Sequence, residues 1–333
     1  MFYYSYEEKV VILLKNNFKI TIIAPMFNEG DNVFVFYEKI YKVLQGYSYE
    51  ILCINDGSKD NTLKKLKQIA ENDFNLKIID LSRNFGKEIA MTAGLKYASG
   101  DVVIPIDSDL QDPPELIPLL IEKWQEGFDV VYATRLKRDG ETWIKKLTAH
   151  LFYRTIKKIT KVEIPADTGD FRLMSRQVVD ALNQLPERQR FMKGLFSWVG
   201  FRQTSITYHR DARLAGKSSF NYWKLWNFAI EGITSFSFAP LQISTYLGVL
   251  TAICSLVYAF YLIVRTIFFG NPVAGYPSLM VAILFFGGVQ LITLGIIGEY
   301  IGRIYSETKQ RPLFLVKEEI NLTSQIKSVV KNF

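Results

Sequence analysis

Two stretches of this chain carry no charged residue, and they constrain everything else it can fold into: residues 241–264 and residues 276–298. At ~1.5 Å of rise per residue, each is long enough as a helix to cross a hydrocarbon core of ~30 Å. A buried hairpin inside a soluble core is the alternative, but core helices seldom run uncharged for so long. The pair predicts a two-helix transmembrane region over 241–302. It also explains how a 333-residue chain reaches 49% hydrophobic content. Gly287, Gly288, Gly295 and Gly298 in the second stretch suit close helix contact.

The flanks of these stretches set an orientation. The link between them, 265–275, carries only Arg265, whereas Arg303, Lys309, Arg311 and Lys317 follow the second stretch. The long N-terminal portion is also basic, and the whole chain has a net charge of +7. The positive-inside rule then puts both termini in the cytoplasm and the short link outside. No cleavable signal pattern is expected, because the apolar run 10–14 is short and Lys15 interrupts it. Cys53 and Cys254 fall in a predicted strand and in the first apolar stretch. They are not expected to meet, which suits a reducing compartment.

Residues 18–135 alternate between two periodicities. Runs at 18–24, 49–55, 76–81, 102–106 and 129–133 read as buried strands, and 33–44, 63–70, 87–97 and 115–124 read as amphipathic helices. That order predicts an α/β fold with a mostly parallel sheet covered on both faces and ligands beyond the strand C-termini. Polar clusters fall at those ends: Asn28 to Asp31, Asn55 to Ser58, Ser82 to Lys87, and then Asp107 and Asp109. No Gly-x-Gly-x-x-Gly follows the first strand, which disfavours a dinucleotide site.

Asp107 and Asp109 are the most telling of these clusters. Two carboxylates two residues apart leave one face of a strand end, where they can hold a divalent cation. Asp112, Pro113 and Glu115 follow where a helix cap, a first helical position and a capping box would fall. A Mg2+ or Mn2+ ion there would carry phosphate oxygens, which points to a nucleotide-activated substrate. Lys87 opens a predicted helix, where backbone N–H groups and a cation favour a phosphate.

In combination these segments resemble a known family. Residues 24–29 (Ala-Pro-Met-Phe-Asn-Glu), 55–60 (Asn-Asp-Gly-Ser-Lys-Asp), 83–88 (Arg-Asn-Phe-Gly-Lys-Glu), 107–114 (Asp-Ser-Asp-Leu-Gln-Asp-Pro-Pro) and 168–173 (Thr-Gly-Asp-Phe-Arg-Leu) are similar to family 2 glycosyltransferases of the GT-A fold. More narrowly they resemble the polyisoprenyl-phosphate glycosyltransferases, which include dolichol-phosphate mannose synthases and, nearest to this pattern, bactoprenol glucosyltransferases. The likeness covers roughly 18–316, through Arg190 to Gly194 and Gly298 to Arg303. It implies an N-terminal extension (1–17), a GT-A domain (18–215), a juxtamembrane aromatic segment (216–240), the two-helix region (241–302) and a cytoplasmic tail (303–333).

The resemblance also implies roles. Pro25, Phe27 and Glu29 would line the base and ribose, and Asp56 would accept a hydrogen bond from a uracil ring, a pairing that suits a carboxylate and an N–H donor; Asp-Gly is equally a common turn dipeptide. Asp109 would ligate the metal with Asp107 beside it and Gln111 close by. Asp170 would sit near the acceptor, as a base, as an orienting group, or only as a helix cap. Arg135, Arg190 and Lys193 are expected at the phosphates of donor or acceptor, since basic side chains, Arg forks above all, suit phosphate. Relatives often read Gly-x-Ser-Lys-aromatic where this chain has Gly216-Lys217-Ser218-Ser219-Phe220, so Lys217 stands two residues before the usual Lys.

Nine Lys and Arg lie between Arg135 and Lys161, with apolar residues at helical spacing. This predicts a basic amphipathic helix at about 143–161 whose Lys145, Lys146, Lys157 and Lys158 meet anionic lipid headgroups. The alternative is a basic surface helix packed on the sheet. The implied reaction is inverting transfer of a hexose, glucose by resemblance, from a UDP-sugar to undecaprenyl phosphate at the cytoplasmic face of a bacterial plasma membrane. A homo-oligomer is compatible with it. A processive polysaccharide synthase is disfavoured because Gln189-Arg190-Phe191-Met192 does not supply a Gln-x-x-Arg-Trp motif. A nucleic-acid-binding module is disfavoured because the basic residues cluster near the membrane segment and not across the sheet edge.

The charge asymmetry makes a direct prediction. A cysteine placed at Asn271 should react with an impermeant thiol reagent outside intact cells, and one at Asn332 should not. Reversed labelling would contradict a cytoplasmic catalytic domain.

Overall fold

Runs of branched apolar residues, fully buried on both sides, build the sheet. A computed structural model describes residues 18–135, 168–188, 190–208, 239–269 and 275–322. The expected basic helix with Lys145, Lys146, Lys157 and Lys158, the segment around Lys217 and the N-terminal extension lie outside the described residues. The chain falls into two units, one holding the sheet and the other the long helices.

In the first unit the elements run β1 (Lys19–Met26), α1 (Val33–Leu44), β2 (Ser48–Asn55), α2 (Thr62–Ala70), β3 (Leu76–Leu81), α3 (Lys87–Tyr97) and β4 (Val102–Pro105). A 3-10 turn (Pro114–Leu116), α4 (Ile117–Gln125), β5 (Val130–Arg135), β6 (Thr168–Ser175), α5 (Arg176–Gln184), α6 (Met192–Trp198) and β7 (Gln203–Tyr208) follow. The sheet is closed at one edge by β8, which is Val316–Ile320. Its order is β7-β5-β6-β4-β1-β2-β3-β8. The block β4-β1-β2-β3 is parallel, as the alternating pattern predicts. β6 runs antiparallel to both β4 and β5, and β8 runs antiparallel to β3.

Ile22 and Ile23 are both fully buried, so helices cover both faces. Phe36 and Ile40 of α1 and Leu66 of α2 share one cluster with Ile20, Ile22 and Ile51. On the other face, α3 lies against Ile23 and Ile54, and Gly94 makes this approach feasible: a Cβ there would overlap the Ile23 side chain.

The opposite end of the sheet is fastened by one buried carboxylate. Glu50 is 1% exposed and accepts from Lys19 at 2.8 Å, Lys77 at 2.6 Å and Thr21 at 2.6 Å, as well as from Ser99. It thereby ties β1, β2, β3 and the α3–β4 turn together.

Two sequence expectations change here. The helix after Asp109 is present as α4, but it is entered through the 3-10 turn without a side-chain cap, and Pro113 is extended. Asp112 is buried and accepts a hydrogen bond from the Tyr208 hydroxyl of β7, so it is spent on tertiary structure. The proposed tail 303–333 is also not a tail throughout, because Val316–Ile320 returns to the sheet. Asn321 fixes that return by donating to the Ala70 and Leu76 carbonyls at 2.8 and 3.0 Å.

The second unit is a helix pair, α7 (Ala239–Phe269) and α8 (Tyr276–Thr308). Leu241–Tyr258 and Phe285–Thr308 are long and apolar enough to cross a membrane. Large apolar side chains such as Leu256, Phe260, Ile267 and Leu291 are exposed, which suits hydrocarbon rather than water. The two helices share a hydrogen bond of 3.0 Å from Ser244 to Thr293. Among the described residues nothing lies within 4 Å of a Cβ placed at Gly287, Gly288, Gly295 or Gly298, so that face of the helix is open to close approach.

Burial raises the Glu50 carboxyl, but Lys19 and Lys77, with the Thr21 and Ser99 hydrogen bonds, outweigh it and hold it at about 2. Its folded value lies below the ordinary 4.5, so its stabilisation is present above that pH and is lost as pH falls toward about 2. Glu50→Gln should cost on the order of 3 kcal/mol at pH 7 by leaving two lysines without their partner. In denaturant titrations the gap from wild type should close as pH drops through that window. An unchanged unfolding midpoint at pH 7 would contradict the role given to Glu50.

Candidate active site

Because β1 to β4 run parallel, four loops leave the sheet at one edge, and hydrogen bonds lock the first two together. Asn28 adopts φ 55, a left-handed conformation that Asn tolerates. Its N–H donates to Ser58 Oγ at 2.9 Å, and its Oδ1 accepts from the Lys59 N–H at 2.8 Å. The Glu29 N–H donates to Thr62 Oγ1 and the Gly30 N–H to Asp60 Oδ2, each at 2.9 Å. The third loop stacks on the second at Gly57, where φ is +66 and a Cβ would overlap the Arg83–Asn84 backbone.

Asp56, expected at the base, also ties the second loop to the third. Its two carboxylate oxygens accept the Phe85 N–H at 2.7 Å and the Gly86 N–H at 2.9 Å, and it is only 3% exposed. It fixes the turn that launches α3. Beside it opens a cavity of about 530 Å3, lined among others by Phe27, Asn55, Ser58, Asp80, Arg83 and Lys317. Pro25 is half-buried at the end of β1, and Glu29 stands nearer the acids. Burial first, and then the charges of Asp109 and Asp107, push the Glu29 carboxyl upward despite a 2.6 Å hydrogen bond from Asn32.

The fourth loop carries the paired acids, and Leu110 within it is buried at φ 54. A branched side chain in that region is strained and persists only where the surroundings enforce it. Asp109 Oδ1 accepts the Gln111 N–H at 3.2 Å, and Gln111 is itself buried.

Asp170 arrives from a distant part of the chain by register. β4 and β6 pair Val102 with Ser175 and Val103 with Met174. Continuing that antiparallel register four residues places Asp170 opposite Asp107. Lys87 at the start of α3 reaches both, with Nζ 2.6 Å from Asp107 Oδ1 and 2.6 Å from Asp170 Oδ2. The other Asp170 oxygen is buried and has no hydrogen-bond partner.

More charge surrounds this bridge. Burial raises the Asp170 carboxyl, but Lys87 and Lys193 outweigh it and hold it at about 2. Burial and the neighbouring Asp170 push Glu88 up to about 7. Glu88 accepts the Met192 N–H at 3.3 Å and so seats the start of α6 beside the site. Burial lowers the Lys193 ammonium, while Asp170 and Glu88 oppose that shift. Arg172 lies 4.0 Å over the Phe196 ring and donates to the Gly169 carbonyl at 2.9 Å. Sequence reading quoted Glu88 and Arg172 inside motifs but gave them no role.

Arg190 has a structural use. It is buried, and its guanidinium donates to the Leu182 and Leu185 carbonyls at 3.3 and 2.7 Å, at the end of α5. A guanidinium that donates to the last carbonyls of a helix caps its C-terminus. Arg135 ends β5, and its side chain lies outside the described residues.

The donors present fit a hard divalent cation. Asp107 and Asp109 offer oxygen only, and the Asp170 oxygen without a partner adds another acceptor beside them. Among the described residues no group of three or more His, Cys, Asp or Glu gathers in metal-binding array. Two carboxylates completed by phosphate oxygens and water is the pattern Mg2+ favours.

Comparison with known proteins agrees with this picture. Residues 21–182 match the family described as glycosyl transferase family 2, and residues 239–304 match the GtrB C-terminal hairpin. An uncharacterized glycosyltransferase of Synechocystis sp. is 57% identical over 90% of this chain and 95% of its own length. The bactoprenol glucosyl transferase of Shigella phage SfV is 52% identical over 90% of this chain and 99% of its own. A prophage bactoprenol glucosyl transferase homolog of Escherichia coli (strain K12) is 50% identical over 90% and 98%.

Lys87→Met should remove the cation shared by Asp107 and Asp170. Asp170, no longer held at about 2, then takes up its proton at higher pH. The acid limb of the pH–rate profile for sugar transfer should move to higher pH, with a smaller shift in Lys87→Arg. An acid limb that does not move in Lys87→Met would contradict the bridge.

Proposed function

This chain belongs to glycosyl transferase family 2 and is a glycosyltransferase, and from that premise we propose that it moves glucose from UDP-glucose to a polyprenyl phosphate, undecaprenyl phosphate in a bacterial membrane. The observation that carries the reading is the meeting of Asp107 and Asp170 on Lys87, at the sheet edge where the nucleotide-lining loops converge. The names carried by relatives at 50–52% identity over 90% of the chain supply glucose and the lipid. The two long apolar helices suit an acceptor that lives in the bilayer.

Asp107 and Asp109 would hold Mg2+ or Mn2+, with Gln111 near them. When bound, the ion neutralises charge building on the diphosphate as the sugar–phosphate bond breaks. Phe27, Glu29 and the loop around Asn55 to Ser58 receive the nucleoside. An oxygen of the acceptor phosphate attacks the anomeric carbon, the bond to UDP breaks, and UDP leaves with that electron pair. One displacement of this kind inverts the anomeric configuration.

Asp170 is an orienting charge in this scheme and not the general base. A carboxyl held near 2 takes a proton poorly at neutral pH. It has little need to, since a phosphomonoester with a second pKa near ~6 is already largely ionised. Lys87 and Lys193 offset the repulsion between Asp170 and an anionic acceptor. The basic segment holding Lys145, Lys146, Lys157 and Lys158, with Arg135 and Lys217, completes the phosphate and headgroup contacts in this reading. The cytoplasmic face is where a UDP-sugar is available.

Release of UDP should require a polyprenyl phosphate and a divalent cation together, and Asp109→Asn should abolish it while the protein still inserts in membranes. UDP release that continues at full rate in excess EDTA, or without the lipid phosphate, would contradict this assignment.

A further inference from the structure

β8 brings a lysine to the nucleotide cavity that no motif marks. Along the β3–β8 ladder Leu81 pairs with Val316 and Asp80 with Glu318. One step on β3 therefore matches two on β8, and Lys317 is the extra residue of a β-bulge. Bulges re-aim the side chain they add. Lys317 lines the cavity, and its Nζ lies 3.7 Å from Asp80 Oδ2. The strand is anchored close by, where the Ser82 N–H donates to the Leu315 carbonyl at 2.9 Å.

Asp80 lines the same cavity and is 2% exposed. Its Oδ1 accepts from Asn55 Nδ2 at 2.6 Å, but its Oδ2 is buried without a hydrogen-bond donor. A buried acceptor left unpaired is costly, so a carboxylate with one such oxygen in a cavity wall marks where a ligand donor fits. Asp56, the carboxylate that sequence reading gave to the base, already has both oxygens on the backbone of the next loop.

We propose that Asp80, its charge balanced by Lys317 from the C-terminal strand, reads the base of the donor nucleotide by accepting the ring N–H of uracil. This rests on the UDP-sugar reading of the site. Uracil presents an N–H on its pairing edge, whereas cytosine presents an unprotonated nitrogen at that place and would set a lone pair against the carboxylate. The strand following the second long helix is in this way part of donor selection.

The test uses the purified full-length protein in detergent and titrates UDP and CDP calorimetrically. Wild type should prefer UDP by about tenfold or more, the scale of a hydrogen bond to a charged group. Asp80→Asn should lose about tenfold in UDP affinity and narrow the preference. Lys317→Gln changes a mostly exposed side chain, so it serves if Asp80→Asn does not fold. It should weaken UDP by about threefold and narrow the preference in the same sense. UDP affinity and UDP/CDP preference both unmoved in the folded variants would overturn the inference alone. A wild-type protein that binds neither nucleotide would overturn the donor reading beneath it.

Discussion

The antiparallel register between β4 and β6 is the constraint on which the site depends. Continued past its paired residues it brings Asp170 toward Asp107, and the two carboxylates repel each other. Unit charges ~4 Å apart interact by about 4 kcal/mol at the effective dielectric of a protein surface. Lys87, delivered by the first turn of α3, answers both at 2.6 Å. The position of α3 rests in turn on Gly94 against Ile23 and on Asp56 holding the Phe85 and Gly86 amides. One ammonium therefore joins three elements that lie between positions 87 and 170 of the chain.

That arrangement explains a division of labour among the acids. Asp107 and Asp109 sit at the end of a parallel strand, where phosphate-bearing ligands gather. Asp170 is held ionised from below by Lys87 and Lys193, and Glu88 beside it is pushed the other way. Environments that drive neighbouring carboxyls apart are how one site gives similar groups different tasks. The strained backbone at Leu110 belongs to the same economy, being tolerated where the acid loop must hold its shape.

Much of this was legible in the sequence wherever a local period existed. Buried strands and amphipathic helices of the β1–α3 block were read to within a residue or two, because both faces of the sheet are covered and the apolar runs are continuous. The convergence of four loops followed from the parallel order alone. What local patterns could not carry was partner choice. Asp112 has the spelling of a helix cap, yet Tyr208 lies 96 positions away and claims it. Arg190 has the chemistry of a phosphate ligand, and nothing local shows that its guanidinium also donates to two carbonyls at the end of α5. Val316–Ile320 shows no apolar alternation because it is an edge strand with Lys317, Glu318 and Glu319 exposed, as edge strands commonly are.

A single-displacement site of this geometry leaves its mark on the product. The decisive measurement is the anomeric configuration of the glucosyl phosphate lipid formed from UDP-glucose, read from the proton coupling at the anomeric carbon. UDP-glucose is α-linked, and attack by the acceptor phosphate across the site that Asp107, Asp170 and Lys87 define gives a β-linked product. An α-linked product would mean retention through a second displacement, and the account of a direct transfer at this site would fail.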